Sequence, residues 1–286
     1  MIEAKVIEDS INEVGIRIST LQIKFHRFIL PEFNTHRVFS RNFSSSRAIP
    51  TSKLIDQVSK DPAIPVYWGK NESGMQAHEE LVGYDKDIVI AQWRLAADAA
   101  VEQAELLHSM GLHKQIVNRV IEPFMWATGI VTSTEWNNWF ALRAHEDAQP
   151  EIHELAIRMQ EALQSSTPKL LVPGEWHLPY ISADERNDQF FKIEANRNML
   201  QKISAARCCR VSYLKHDGTA ANINDDLALF QRLAGAEPIH ASPLEHQATP
   251  DIYDCTDLGS TAVYAHLQGN FKGWVQYRKL WESTLK

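Results

Sequence analysis

The chain has 286 residues, of which 44% are hydrophobic and 23% are charged, and its net charge is −7. This composition is typical of a globular protein and excludes a disordered or collagen-like chain. It also argues against a general nucleic-acid-binding protein, because such proteins are usually basic. No run of about 18 apolar residues occurs, so we expect no membrane-spanning helix.

The N-terminus and the cysteines predict a cytoplasmic protein. Residues 1–10 carry acids and lack the apolar block of a signal peptide. The three cysteines, of which Cys208 and Cys209 are adjacent, make a poor disulfide framework. That pattern fits a reducing compartment.

The first half of the chain predicts strands, a long loop and two helices. Apolar and polar residues alternate near the N-terminus, as in half-buried strands, at Val14, Ile16, Ile18, Leu21, Ile23 and Phe25. The stretch 61–85 is rich in Pro, Gly and polar residues and predicts a long loop. A helix is then predicted over 88–109, ended by Gly111, and a second over about 114–122, ended by Pro123.

Further helices are predicted downstream. Thr132 and Glu135 have capping-box spacing and predict a helix start at Thr132, before an apolar stripe of Trp136, Trp139 and Phe140. Another helix follows Pro150, with apolar residues at helical spacing at Ile152, Leu155, Ala156, Met159 and Leu163. We expect a linker over 168–179, helices over 199–207, 225–233 and 274–281, and a short strand or turn over 211–213.

The most informative segment is 34–47, which contains His36, four serines and three arginines but no carboxylate. The arginines are Arg37, Arg41 and Arg47. Guanidinium groups bind phosphate through paired hydrogen bonds, and hydroxyl and backbone N–H groups complete an oxyanion site. The segment therefore indicates either a phosphate-binding loop or an exposed loop that binds nothing. It lacks the glycines of a Walker or dinucleotide-binding loop.

Arg143 shares a predicted helix face with Trp136 and Phe140. An arginine that faces a core requires an anionic or carbonyl partner. The alternative is an intrahelical pair with Glu146 or Asp147. Both interpretations remain open from the sequence.

The segment 240–246 contains His240, Ser242, Glu245 and His246 and fits a metal site, a polar ligand-binding surface or a helix cap. No Cys or His pair has zinc-finger spacing, and we predict no metal site. Cys208 and Cys209 are flanked by arginines, which would lower a thiol pKa, although buried structural cysteines are the simpler interpretation.

Taken together, these segments resemble the flavin-dependent thymidylate synthases. That family's signature is Arg-His-Arg-x-x-Ser-x-Asn-x-x-Ser-x-Arg. Thr35 stands at its first position, and the other named positions are matched by His36, Arg37, Ser40, Asn42, Ser45 and Arg47. A second block is matched by Asn138, Leu142, Arg143, Ala148, Gln149, Glu151 and Ile152. A third is matched by Arg119 and Pro123.

A fourth block, which is N-terminal in the usual family chain, resembles 209–212 and 240–246 here. The chain therefore resembles a circularly permuted member of the family. We expect one domain over 1–286, in which 1–167 carries the signature and 168–286 carries the displaced block. The resemblance implies an α/β (α+β) fold with a central mixed sheet flanked by helices. It also implies a homotetramer whose active sites are shared between subunits.

The resemblance implies that a one-carbon unit passes from methylenetetrahydrofolate to C5 of dUMP, giving dTMP, with FAD as cofactor and NADPH as reductant. The flavin would lie along His36, Arg37, Val38, Asn138, Ser212, His240, Ser242 and Glu245. The substrate would be held by Glu32, Ser45, Ser46, Arg47, Arg119 and Arg143. Ser45 and Arg143 would be catalytic, and the cysteines need no catalytic role.

Several positions depart from the family pattern. Glu32 stands where the family often has Gln, and we expect it to pair with Arg37, Arg47 or Arg278. Gln276 and Arg278 would replace the missing Gln and Arg of the signature region. The alternatives are C5 hydroxymethylation, dCMP as substrate, or a non-catalytic flavin- or nucleotide-binding protein.

Overall fold

The computed structural model describes residues 1–193, 196, 198–214, 219–256 and 259–285. A five-stranded sheet lies at its centre in the order β3-β4-β2-β1-β5. The strands are β1 (Glu3–Ile11), β2 (Arg17–His26), β3 (Ser40–Phe43), β4 (Trp126–Ser133) and β5 (Lys169–Leu170). Neighbouring strands are antiparallel except β1 and β5, which are parallel. The predicted α/β fold with a central mixed sheet is confirmed.

The helices surround this sheet. They are α1 (Leu30–Phe33), α2 (Thr51–Lys60), α3 (Gly83–Ser109), α4 (Lys114–Val120), α5 (Asn137–Arg143), α6 (Pro150–Gln164), α7 (Ala183–Asn187), α8 (Gln189–Lys192), α9 (Met199–Arg210), α10 (Ile223–Ala234) and α11 (Tyr277–Ser283). Two small pairs of antiparallel strands complete the fold. β6 (Ala248–Pro250) pairs with β9 (Trp274–Gln276), and β7 (Tyr253–Thr256) pairs with β8 (Gly259–Ala262).

The main core lies between the sheet and helices α5 and α6. Leu21, Ile23 and Phe25 of β2 pack there against Trp139 and the buried apolar face of α6. The predicted strand and the apolar faces of both helices are confirmed. Val14 is an exception, because it is exposed in the turn beside Gly15, which adopts a φ of +80°.

A second core joins α2, α3 and α4. The long helix begins at Gly83, earlier than predicted, and ends before Gly111, whose φ of +83° requires glycine. Helix α4 ends at Val120, and a 3-10 turn over Glu122–Phe124 follows it. In the part of the chain that the structure describes, none of the helices combines the length and apolarity that crossing a membrane requires.

The predicted helix start at Thr132 is wrong. Thr132 lies in β4, and its hydroxyl is hydrogen-bonded to the hydroxyl of Thr20 (2.7 Å) and to Nδ1 of His246 (2.8 Å). It therefore does not cap a helix through the N–H of Glu135. Pairing of β4 with two neighbouring strands outweighs the local capping pattern, and α5 begins only at Asn137.

The predicted last helix is also wrong over its first three residues. Trp274–Gln276 form β9, because they pair with β6, and the helix covers only Tyr277–Ser283. The helices predicted over 199–207 and 225–233 are confirmed as α9 and α10. Val211 follows α9 in a left-handed conformation, so the segment after it is a turn.

A buried ion-pair network holds α9 against α10 and α7. Arg207 donates from Nε to Asp226 (2.9 Å) and from Nη2 to Glu185 (2.6 Å), and Arg210 also pairs with Asp226. Next to α9, a 3-10 turn over Ser242–Glu245 packs against β3. The C-terminal half of the chain thus lies directly beside the segment that carries the signature.

Candidate active site

Arg41 closes the loop that precedes β3. Its guanidinium donates to Oδ1 of Asn34 (2.8 Å) and to the backbone carbonyls of His36 (2.9 Å) and Phe39 (3.2 Å). The guanidinium of Arg41 is therefore occupied by hydrogen bonds within the protein. Arg37, on the same loop, is exposed and remains accessible to a ligand.

A cavity of about 550 Å³ opens beside this loop. Its lining residues are Arg37, Phe39, Arg41, Glu245, Gly269, Asn270, Gln276, Arg278 and Lys279. Cationic side chains outnumber anionic ones in this lining. The cavity therefore suits an anionic ligand.

The C-terminal tail forms one wall of this cavity. Nε2 of the buried Gln276 donates to Oδ1 of Asn270 (2.8 Å) and to the Glu245 carbonyl (3.3 Å). Arg278 pairs with Glu245 and donates from Nε to Glu282 (2.7 Å). The fold thus brings Gln276 and Arg278 to the signature loop, although they are far from it in sequence.

His36 and Arg143 are linked directly. Nε of Arg143 donates to Nε2 of His36 over 3.0 Å, and His36 is buried edge-to-face against Trp139. Burial lowers the pKa of His36, and the charges of Arg143 and Arg41 lower it further. The ring is therefore neutral and carries its proton on Nδ1. Arg143 has its partner in this histidine, and the intrahelical pair with Glu146 or Asp147 does not form.

The residues expected to bind phosphate lie beyond the other end of β3. Ser45 and Arg47 are exposed, whereas Ser46 is buried and its hydroxyl donates to Oε1 of Glu122 (2.7 Å). Arg119 also donates to Glu122 (2.7 Å). These side chains do not line the 550 Å³ cavity, so the structure divides the predicted site residues into two groups.

Glu122 was missed by the sequence analysis, although it lies three residues after Arg119. It accepts from Arg119, Ser46 and Arg27. Burial has the largest single effect on the pKa of Glu122 and raises it. The hydrogen bonds from Arg119 and Ser46 and the charge of Arg27 together lower this pKa by more than burial raises it. The net pKa is lowered, so Glu122 is an ionised acceptor that holds the serine loop against α4.

The segment 240–246 contacts the signature through Asn42. The Ser242 hydroxyl donates to Oδ1 of Asn42 (3.2 Å), and Nδ2 of Asn42 donates to the carbonyls of Cys208 (3.0 Å) and Cys209 (3.2 Å). Ser242 makes no helix cap with Glu245, so the capping alternative is excluded.

Other predicted residues lie outside the cavity. Asn138 and His240 are exposed, and the Ser212 hydroxyl accepts from the N–H of Leu214 (2.9 Å). Val38 is also exposed, and its carbonyl accepts from Asn270 (2.8 Å).

The expected pairing of Glu32 with an arginine is wrong. Its Oε2 atom is buried without a hydrogen-bond partner. Arg278 is held by Glu245 and Glu282 instead, because these carboxylates lie next to it on the 3-10 turn and on α11.

A chain of buried hydrogen bonds crosses the sheet. It runs from Ser10 to Nδ1 of His177 (2.9 Å), from Nε2 of His177 to Thr20 (2.8 Å), and through Thr132 to His246. Burial lowers the pKa of His246 to about 3 and that of His177 well below its usual range, to which the charge of Arg186 also contributes. Both histidines are therefore neutral structural groups.

The cysteines Cys208 and Cys209 lie on α9. Burial raises the pKa of both thiols. The described residues contain no cluster of three or more His, Cys, Asp or Glu side chains that would hold a metal ion.

The family model for the thymidylate synthase complementing protein matches residues 17–169, more than half of the chain. The chain belongs to this family. It is therefore a thymidylate synthase-like methyltransferase. The matched range contains β2, the signature, Arg119 and Arg143, so the predicted resemblance to flavin-dependent thymidylate synthases is confirmed.

Solved structures to which this chain is similar include the UMP/dUMP methylase PolB from Streptomyces cacaoi, bound with 5-Br dUMP or with 5-Br UMP. Both align with a TM-score of 0.46, at 13% and 15% identity respectively. Each covers 57% of this chain, and the alignments cover 90% and 88% of the PolB chains. No curated protein matches the sequence.

The family match ends before the segment 204–246 and the C-terminal tail. Circular permutation therefore stays a prediction. The hydrogen bonds of Asn42 to Ser242, Cys208 and Cys209 agree with it, because they bring the displaced block against the signature.

Proposed function

We propose that this enzyme transfers a one-carbon unit from methylenetetrahydrofolate to C5 of dUMP, giving dTMP, with FAD as cofactor and NADPH as reductant. The observation that carries the proposal is the signature loop opening onto a cationic cavity in a member of the family. The enzyme acts in the cytoplasm as a homotetramer with shared active sites.

The cavity residues fit a flavin nucleotide by their chemistry. Arg37 and Lys279 supply charge for phosphate groups, and Glu245 supplies an acceptor for hydroxyl or N–H groups. Six further predicted residues do not line the cavity and would contact parts of the cofactor that extend beyond it: His36, Val38, Ser242, Ser212, His240 and Asn138. When bound, FAD supplies the hydride for the transferred carbon, and the protein supplies binding and orientation.

The second group of residues would hold dUMP. Ser45, the Ser46 backbone, Arg47 and Arg119 fit a phosphate, because guanidinium and hydroxyl groups are exposed there together. Arg119 already pairs with Glu122, so a phosphate would share this arginine with the carboxylate.

Arg143 would bind the pyrimidine. Its Nε is occupied by His36, and in the described part of the chain its two terminal nitrogens have no hydrogen-bond partner. Those nitrogens are available to a uracil carbonyl. A cation held there favours electron density on the carbonyl oxygen, as attack by C5 on an electrophilic carbon requires.

A second substrate, dCMP, is favoured by one observation. The buried Oε2 of Glu32 has no hydrogen-bond partner in the protein and is free to accept a bond from a ligand. A carboxylate is the acceptor suited to the amino group at N4 of cytosine. We propose dUMP as the preferred substrate because Arg143 suits a carbonyl. Preferential conversion of dCMP, lost in Glu32→Gln, would reverse that preference.

The experiment is to incubate the purified enzyme with FAD, NADPH, methylenetetrahydrofolate and an equimolar mixture of dUMP and dCMP. The nucleotide product is identified by mass. We expect dTMP. A product heavier by one oxygen would show hydroxymethylation, and nucleotide binding without turnover would show a non-catalytic protein.

A further inference from the structure

Helix α3 is apolar on two opposite sides. Its inner side places Ala97, Val101 and Ala104 in the core shared with α2 and α4. Its outer side carries large apolar side chains that are 40–79% exposed: Tyr84, Ile88, Leu95, Leu106 and, at the C-terminal cap, Met110. A helix that is apolar on both sides is normally covered on both sides.

The outer side chains form one stripe. Each residue turns a helix by about 100°, so these five lie within an arc of about 80°, centred opposite the buried Ala97. The exposed residues Ala91 and Ala99 lie near the same arc and permit close approach of another helix. Because α3 contains 27 residues, the stripe extends over about 40 Å.

We propose that this stripe joins two copies of the chain, with their α3 helices packed antiparallel about a twofold axis near Ala97. In antiparallel helices, residues equally far from the axis face each other, and a twofold interface is self-complementary. The stripe has this symmetry. Tyr84 and Met110 are equally far from position 97, as are Ile88 and Leu106, and Leu95 and Ala99. Each large apolar side chain therefore meets an apolar partner.

The polar residues of the stripe agree with the same pairing. Glu102 and Gln92 are both exposed, lie in the same arc and are equally far from Ala97 in the sequence. Antiparallel packing places the Glu102 carboxylate opposite the amide of Gln92, which donates to it. Parallel packing would place Glu102 against Glu102 of the second copy, and like charges in contact repel.

The proposal rests on one part of the proposed function, the homotetramer, for which it names a contact surface. It is independent of the proposed chemistry, because the stripe does not line the cavity beside the signature loop, and product analysis tests that chemistry separately. It concerns which surface of the chain binds a second copy. Measurements of the mass of the assembly in solution therefore test it.

The test uses Ile88→Arg, Leu106→Glu and the double variant in one chain, with mass measured by sedimentation and light scattering. Each single change places a charge against an apolar side chain of the second copy. We expect each to reduce the parent assembly to half its mass or less. In the double variant Arg at 88 faces Glu at 106 of the second copy, and we expect the parent mass to return.

Two controls separate pairing from folding. The double variant Ile88→Arg/Leu95→Glu carries the same charges at positions that do not face each other, and it should stay dissociated. Arg94→Glu changes a charge on α3 outside the arc and should keep the parent mass. Circular dichroism verifies that each variant is folded.

Each of the following results would overturn the proposal. They are a wild-type chain that is monomeric at micromolar concentration, a folded Ile88→Arg variant with unchanged mass, or a complementary double variant that remains dissociated. Association with a different protein in place of a second copy would also overturn it.

Discussion

The side chain of Arg143 donates from Nε to Nε2 of His36 over 3.0 Å, which joins the end of α5 to the signature loop. The bond requires a neutral His36. Burial, and in addition the charges of Arg143 and Arg41, keep the pKa of His36 below the usual value. One nitrogen of the guanidinium is thereby fixed while the other two remain available to a ligand. The position of Arg143 thus depends on His36.

Arg143→Lys should weaken dUMP binding. A lysine carries a single donor group and cannot bond His36 and a pyrimidine carbonyl with the planar geometry of arginine. We expect a loss of about 10- to 150-fold in affinity, the value of one charge-assisted hydrogen bond. Calorimetric titration measures it, with Arg158→Lys on the surface of α6 as the matched control. Equal affinities in both variants would remove Arg143 from the substrate site.

Arg278→Gln should weaken FAD binding. The change removes one cation from the cavity and leaves the Glu245 carboxylate without its ion pair, so the cavity becomes less favourable for phosphate. We expect about tenfold weaker binding, measured by flavin fluorescence. Arg232→Gln, an exposed arginine on α10, is the control. If both variants bind FAD as the parent does, the tail has no role in the cofactor site.

Glu122→Gln should destabilise the fold near neutral pH by about 1–3 kcal/mol, because three donors lose a charged acceptor. The pKa of Glu122 is lower in the folded state than in the unfolded state. Its contribution to the free energy of unfolding is therefore fully present above the unfolded-state pKa, and it is lost as the pH falls through the folded-state pKa. Denaturant unfolding of parent and variant should therefore converge in acid. A constant difference at all pH values would contradict this account, and Glu154→Gln on α6 serves as the control.

The buried histidines should make the protein sensitive to mild acid. In the folded state the pKa of His246 is about 3, and that of His177 is also well below the value of an unfolded histidine. At pH values between the folded-state and unfolded-state pKa, the unfolded chain therefore binds more protons than the folded chain. The free energy of unfolding should thus fall as pH decreases below about 6.5, by up to about 1.4 kcal/mol per pH unit for each histidine. His246→Gln should reduce that slope, whereas exposed His108→Gln should not. An unchanged slope in His246→Gln would refute the explanation.

Cys208→Ser and Cys209→Ser should retain turnover. Burial raises both thiol pKa values, so neither is a thiolate at neutral pH. We expect kcat within about tenfold of the parent and a stability loss of about 1–3 kcal/mol for the fully buried Cys208. A loss of about a thousandfold in a folded variant would indicate covalent catalysis by that cysteine.

The sequence by itself determined those helices and strands in which the spacing of apolar residues matches the side that is buried in the fold. The apolar spacing of α6 and the alternation in β2 predicted faces that are buried, because one side of each meets a single core. The signature residues predicted the family, since their chemical types and spacing are local properties. Thr132 and Trp274 were misassigned because capping and propensity are local, whereas their strand partners lie far away in the sequence.

Only the tertiary structure decided how the candidate site is assembled. Gln276 and Arg278 reach the signature loop because β9 pairs with β6 and α11 packs beside the 3-10 turn over Ser242–Glu245. Glu122 gathers Arg27, Arg119 and Ser46, and Arg143 finds His36 rather than a neighbour on its own helix. Such partners are fixed by long-range packing, in which a buried charge takes the acceptor that the fold brings within reach. No local pattern in the sequence specifies that choice.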